Sequence, residues 1–520
     1  MTTLTVETIV ETAQGRLRGS IKDGVHRFLG VAYGGATAQE RRFMPPSPPQ
    51  SWAGIRDAVA LGPQAPQRKP TIRPVNAWIR SLIPTGEDCL VLNLYTPALN
   101  DGGARPVMVW MHGGAYSFGS GGSPGLDGGI LAAHGDVVVV TLNHRLNAFG
   151  YCHLAGIGDA RFADAGNAGM LDMVAALQWV RDNIAAFGGD ANNVTIFGQS
   201  GGGSKVAALM TMAAAKGLFH KAIMQSSSSH LRLATTMAAG KAVRRLMDEL
   251  GMDDGDALQA VSADRLLAAY GVAVAASHGN DSFRPVVDGR EIVNHPFDID
   301  APDLAADIPL LIGSCETERS FHDIVADPAS LVMSAEGLRA QIGRFVGIDA
   351  QRANDLIAAY RERRGDAPER DLYNVISSDH MYRRNAIAAA EIKSRQGGAP
   401  AYLYEFTWKT PVLGGILKTP HTMCIPFVFG TLDAAAEFVG TGPEQSALCA
   451  SVMETWVAFA RTGNPNNSRL PFWAPYDETD RTTMIFDNEC GPLNDPKCED
   501  RLTINQCPQF ISDQQWSAAA

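Results

Sequence analysis

The segment Gly198-Gln199-Ser200-Gly201-Gly202 fits the pattern G-x-S-x-G, in which a serine on a sharp strand-to-helix turn presents its hydroxyl for attack on a carbonyl carbon. The small neighbours have a steric reason: the turn strains the serine backbone and brings other chain so close that side chains larger than hydrogen would clash. The pattern alone is weak. With 52 glycines in 520 residues, chance supplies roughly 0.3 matches in such a chain. A second match, Gly121-Gly122-Ser123-Pro124-Gly125, follows no strand-like run, and Pro124 has no N–H to offer an oxyanion. Context selects Ser200.

An acyl-transfer serine needs donors for the developing negative oxygen. His112-Gly113-Gly114-Ala115 is a glycine-rich loop whose backbone N–H groups can point into a site. Those of Gly114 and Ala115, with that of Gly201, would supply three hydrogen bonds, each worth about 3 kcal/mol in the transition state.

These loops require rigid elements behind them. Val107–Met111 and Val137–Leu142 are short apolar runs rich in β-branched residues, the signature of strands buried on both faces. Val194–Phe197, Lys221–Gln225 and Pro309–Gly313 read as further strands. From Met170 the apolar period changes: Met173, Leu177, Val180, Ile184 and Phe187 recur every three or four residues. This predicts an amphipathic helix ended by Gly188-Gly189-Asp190. Ser200 to Met212 reads as the helix after the turn. The alternation implies an α/β fold, a mostly parallel sheet with helices on both faces. The segments 231–307 and 335–395 are Ala- and charge-rich with helical spacing, and are placed to roof a pocket. No repeat or low-complexity block interrupts the chain, so residues 1–520 read as a single interwoven domain.

Composition narrows the function classes. Forty-four Lys+Arg against 55 Asp+Glu give a formal charge of -11, with 45% hydrophobic and 19% charged residues. That excludes a disordered chain and disfavours nucleic acid and anionic membrane surfaces as partners. No apolar run spans a bilayer, and residues 1–7 lack the pattern of a secretory signal, so a cytoplasmic location is expected. Eight cysteines without C-x-x-C spacing suggest buried thiols rather than a disulfide scaffold or a zinc site. Cys490, Cys498 and Cys507 leave room for one disulfide near the end of the sequence.

Taken together, the chain resembles the type-B carboxylesterases, the cholinesterase-like branch of the α/β-hydrolase fold. The resemblance rests on Arg42-Phe43 followed by Pro45-Pro46, on Glu87-Asp88-Cys89-Leu90 and on His112 to Ala115. Asn143-His144-Arg145-Leu146, Phe187 to Asp190, Gly198 to Gly202 and Trp456 to Pro465 continue the series in the family's order.

The resemblance implies a Ser-acid-His triad in that chain order. Gly313-Ser314-Cys315-Glu316-Thr317-Glu318-Arg319 is similar to the family's acid block and places the acid at Glu318, with Thr317 and Arg319 departing from the pattern and Glu316 as a rival. His421, opening His421-Thr422-Met423-Cys424-Ile425-Pro426-Phe427-Val428-Phe429-Gly430, matches the family's histidine. There Thr422 replaces a glycine and Cys424 an acidic residue. His295, His322 and His380 lack this setting and read as structural or exposed. Ser226 resembles the family's supporting serine near the triad. Tyr116, Phe118, Phe283, Trp408 and Phe429 are expected to line an apolar pocket. Arg42 with Glu87 and Arg145 with Asp172 are expected ion pairs. Cys89 lacks its usual partner, since the preceding block reads Gly62-Pro63-Gln64-Ala65-Pro66.

The implied activity is hydrolysis of small to medium uncharged carboxylic esters through an acyl-enzyme, with no cofactor and no metal, by a monomer or small homo-oligomer. Carbamate or aryl amide cleavage by the same triad is the alternative. A catalytically inactive binding protein on the same fold is the alternative from another class, and the presence of both Ser200 and His421 argues against it.

Overall fold

A computed structural model describes residues 8–277, 283–326 and 332–510. Residues 1–7, on which the expectation about a signal rests, and residues 278–282 of the first helical segment lie outside it. Its centre is an eleven-stranded sheet. In chain order the strands are β1 (Ser20–Lys22), β2 (Val25–Ala32), β3 (Val91–Thr96), β4 (Arg105–Met111), β5 (Val138–Leu142) and β6 (Gly189–Gln199). They continue with β7 (Lys221–Gln225), β8 (Leu310–Cys315), β9 (Ala401–Phe406), β10 (Thr482–Phe486) and β11 (Gly491–Asn494). Across the sheet the order is β1-β2-β3-β5-β4-β6-β7-β8-β9-β10-β11. The block from β5 to β10 is parallel, and the pairs outside it are antiparallel.

The expected strands form, and three run further than expected: β4 begins at Arg105, β6 spans Gly189–Gln199 because Gly189 pairs with Arg105 of β4, and β8 runs on to Cys315 beside Phe406 of β9. The pleat sends successive side chains to opposite faces. Val107, Val109 and Met111 of β4 enter one hydrophobic core, and Met108 and Trp110 enter the other. A continuous apolar run is therefore what a strand covered on both sides requires.

Helix α1 (Ala168–Asn183) follows the predicted spacing, tightens over Ile184–Phe187 and stops at Gly188, whose φ of 75° suits a left-handed C-cap. Helix α2 (Gly201–Leu209) follows β6 directly. The segment 231–307 holds α3 (Thr236–Leu250) and α4 (Ala263–Ala276), and α5 (Arg319–Ala326) follows β8. The segment 335–395 holds α6 (Ala335–Val346), α7 (Ala350–Glu362), α8 (Glu369–Ser378) and α9 (Arg384–Gln396), the last two joined by a π-helical turn over Asp379–Arg383. Among the described residues no helix is long and apolar enough to cross a membrane.

Both expected ion pairs form. Arg42 holds Glu87 through Nε and Nη2 at 2.7 and 2.6 Å, and Arg145 holds Asp172 of α1 through Nε and Nη2 at 2.9 and 2.6 Å, fully buried. All eight cysteines are free thiols, Cys89 and the three near the end included. Asp172→Asn, which leaves the Arg145 guanidinium buried without its counter-charge, is expected to cost about 3–5 kcal/mol in urea unfolding. Gly202 is under a tighter steric constraint: a Cβ there would lie 2.0 Å from the Met111 carbonyl oxygen. Gly202→Ala is expected to cost about 3 kcal/mol or more in the same measurement.

Candidate active site

The turn between β6 and α2 holds Ser200 at φ 60°, ψ -126°, a region that residues other than glycine avoid. Its N–H donates to the Gln225 carbonyl at 2.8 Å, which ties the turn to the neighbouring strand β7. Crowding explains each flanking glycine. A Cβ on Gly198 would sit 2.5 Å from the Gly202 carbonyl carbon, and one on Gly201 would sit 2.4 Å from Cα of Ala115. Ser200 itself remains half-buried. Ser123, the rival serine, is buried, has an ordinary φ of -67° and donates to the Ser120 carbonyl at 3.2 Å.

The loop after β4 lies against this turn. A Cβ on Gly113 would be 3.5 Å from Cβ of Ser200, and Gly114 and Ala115 take φ of 90° and 50°. These positive values turn the loop over the head of α2. Gly114, Ala115 and Gly201 are thus gathered beside Ser200.

Glu318 and His421 meet. Glu318 Oε2 lies 2.5 Å from His421 Nδ1, and Oε1 accepts from the Cys315 N–H at 2.7 Å. The His421 N–H also donates to the Glu318 carbonyl at 3.2 Å. Both side chains are buried. Because a carboxylate only accepts, Nδ1 carries a proton in this contact, and in the neutral ring Nε2 is the acceptor.

Glu316 points elsewhere: it accepts from Lys497 Nζ at 2.8 Å, and the same ammonium donates to Glu405 of β9 at 2.7 Å. Burial would raise the Glu316 carboxyl, but Lys497 outweighs it and holds the group below the usual carboxylate range. Of the two glutamates, Glu318 is the one on His421.

Ser200 Oγ and His421 are not hydrogen-bonded. His421 Nε2 faces Gln199 Nε2 at 3.1 Å, so the amide occupies that side of the ring. Gln199 is the variable position of the G-x-S-x-G pattern, and the side chain preceding an outward serine on a strand must point inward.

His322, read from the sequence as structural or exposed, also borders the site. Its ring centre is 5.0 Å from that of His421, and its Nε2 is 3.2 Å from the Tyr382 hydroxyl. The Tyr382 ring is in turn 5.0 Å from His421. Burial, then the nearby His421, Arg319 and Arg80, push the His322 imidazole well below its ordinary value, so it is neutral. Tyr382 stands on the π-helical turn, a local widening that re-aims side chains and recurs at functional sites. No spacing in the sequence marks either residue, since both reach His421 only through the tertiary fold.

Two departures in the His421 segment have structural counterparts. Thr422, where the family's motif has glycine, takes φ 75°, a conformation costly for a β-branched residue. Cys424 accepts from Gln225 Nε2 at 3.1 Å, and Gln225 Oε1 accepts from Trp456 Nε1 at 3.2 Å. Ser226, at φ 48°, directs its hydroxyl to Cys315 Sγ at 3.8 Å.

The aromatic residues expected to line a pocket divide. Phe429 is fully buried between Trp110 and Phe197, at 5.0 and 5.7 Å between ring centres, and Trp408 packs on Phe427 at 5.3 Å. Both belong to one hydrophobic core cluster. Tyr116 is buried against Tyr151 at 5.2 Å. Phe118 is exposed with the Arg80 guanidinium 4.9 Å above its ring. Phe283 is buried against Tyr270, whose hydroxyl meets Ser117 Oγ at 2.8 Å. The helical segment 231–307 thus touches the loop after β4 through Tyr270, and 335–395 touches His421 through Tyr382.

The comparisons agree with this architecture. The model of the carboxylesterase family matches residues 6–505. The para-nitrobenzyl esterase of Bacillus subtilis (strain 168) is 38% identical over 511 residues, covering 95% of this chain and 98% of its own length. Phenmedipham hydrolase of Pseudarthrobacter oxydans is 34% identical over 494 residues, covering 92% and 95%. The crystal structure of Geobacillus stearothermophilus carboxylesterase EST55 at pH 6.2 superposes with a TM-score of 0.82 at 38% identity, over 95% of this chain and 99% of that one. The chain belongs to the carboxylesterase family, ester hydrolases built on the α/β-hydrolase fold.

Proposed function

We propose that this enzyme hydrolyses small to medium uncharged carboxylic esters through Ser200, His421 and Glu318. The observation that carries the reading is the buried 2.5 Å contact between His421 Nδ1 and Glu318, set beside a serine on a strained turn. Glu318 fixes the imidazole so that Nε2 takes the Ser200 proton as Oγ bonds to the ester carbonyl carbon. The N–H groups of Gly114, Ala115 and Gly201 would receive the resulting oxyanion. Collapse breaks the bond to the alkoxy oxygen, which leaves as the alcohol with the proton from His421. Water then repeats the sequence on the acyl-enzyme, releasing the acid and free Ser200. The mechanism requires a Ser200–His421 hydrogen bond to form and Gln199 to yield Nε2; catalytic hydrogen bonds commonly tighten only when substrate is bound.

The helical segments 231–307 and 335–395, which meet the site through Tyr270 and Tyr382, would roof the pocket within one domain. His322, neutral and at the ring of His421, gives that pocket a polar edge. Phenmedipham hydrolase among the relatives makes phenmedipham itself a reasonable second substrate to assay beside the nitrophenyl esters.

Turnover of p-nitrophenyl acetate and butyrate is expected to fall at least about 10⁴-fold in Ser200→Ala. An unchanged rate would remove Ser200 from the mechanism. Glu318→Gln is expected to lower kcat far more than Glu316→Gln, because only Glu318 orients the imidazole. The reverse order would move the acid role to Glu316.

A further inference from the structure

Helix α2 buries a lysine among small and apolar residues. Lys205 has no exposed surface, and its Nζ donates to the His112 carbonyl oxygen at 2.8 Å. The ammonium also lies 5.5 Å from the centre of the Tyr116 ring. Among the described residues it makes no ion pair. A buried cation whose one hydrogen-bond partner is neutral is costly.

The position of its partner gives the charge a use. The His112 carbonyl opens the loop Gly113-Gly114-Ala115, and the far end of that loop packs on Gly201 of the same helix. Helix α2 therefore grips the loop at both ends, by Lys205 at His112 and by Gly201 at Ala115. His112 itself donates from Nδ1 to the Gly113 carbonyl at 2.8 Å, which belongs to the same peptide as the Gly114 N–H. Hydrogen bonding at a peptide carbonyl polarises the N–H across the bond.

We propose that Lys205 is a positioning residue for the oxyanion loop, and that its ammonium supplies the positive charge behind that loop whose counter-ion is the oxyanion of the tetrahedral intermediate. The inference rests on the serine mechanism proposed above and adds to it. The free enzyme leaves the cation without an anion, and the intermediate provides one. The gain thus arises in the transition state rather than on substrate binding.

Three other groups face Lys205. His112 and His144 stack at 4.7 Å between ring centres. Burial, then Lys205, lowers His112 to about 3 and takes His144 well below its ordinary value. Burial raises the Tyr116 phenol. All three are therefore neutral near pH 7, while burial lowers Lys205 itself to about 7. The folded state thus holds the Lys205 proton less tightly than the unfolded chain does. Its protonation opposes folding most strongly below about pH 7, and the penalty fades as pH rises through that value.

The test compares Lys205→Met, Lys205→Arg and Ser200→Ala with wild type, using p-nitrophenyl butyrate and a trifluoromethyl ketone that forms a tetrahedral adduct. Lys205→Met is expected to lower kcat about tenfold or more, to leave KM within about twofold, and to weaken the ketone by the same factor as kcat. Its melting temperature is expected to stay level or rise, because a buried charge is gone. Wild-type kcat should decline as Lys205 loses its proton at alkaline pH, and Lys205→Arg, permanently charged, should abolish that decline. A Lys205→Met enzyme with unchanged kcat, or one with a lower melting temperature and unchanged ketone affinity, would overturn the proposal. If Lys205→Met does not fold, an alkaline decline persisting in Lys205→Arg overturns it equally. Wild-type turnover in Ser200→Ala would instead sink the serine mechanism itself.

Discussion

One short contact organises this site: a carboxylate and an imidazole, 103 residues apart in sequence, meeting away from water at 2.5 Å. Each comes from a loop beyond the carboxyl end of a different parallel strand, Glu318 after β8 and His421 after β9. The register between β8 and β9, Leu310 opposite Ala401 through Cys315 opposite Phe406, sets how those loops emerge. A parallel sheet delivers all such loops to one edge, which is why Ser200 after β6 and the Gly113–Ala115 loop after β4 arrive there too. The remainder of the fold holds that edge still.

How the carboxylate is held shows the cost. Cys315 N–H occupies one oxygen of Glu318 and His421 the other, so the side chain has little freedom left. Two residues earlier, Glu316 is drawn to Lys497, which also grips Glu405. Neighbouring glutamates of the same loop are pulled in opposite directions, one to the imidazole and one to the ammonium. The strained conformations at Ser200, Ser226 and Thr422 cluster around the same place, as stored backbone strain does at sites that must be pre-organised.

Much of this was legible in the sequence, for reasons that differ by residue. The central strands announce themselves because burial on both faces demands unbroken β-branched runs, as in Val138–Leu142. Ser200 is legible because its glycines answer local clashes. Glu318 and His421 came from resemblance to a family, since nothing local separates Glu318 from Glu316; only the distant Lys497 does that. Tyr382 and Lys205 carry no mark in the sequence, Gln199 stands only as a variable motif position and His322 reads as structural or exposed, because their significance lies in what they touch across the fold. Phe429 and Trp408 are the converse case: an aromatic residue serves a pocket lining or a core equally well, and their rings pack in the core.

The bridge from Lys497 to Glu316 and Glu405 also has a temporal side. A ribosome delivers Ser200, then Glu318, then His421, and the lysine follows all three by at least 76 positions. A nascent chain can therefore hold all three residues while the loop carrying Glu316 and Glu318 still lacks its anchor. That loop would then be fixed late in synthesis, when the segment carrying that ammonium docks against β9.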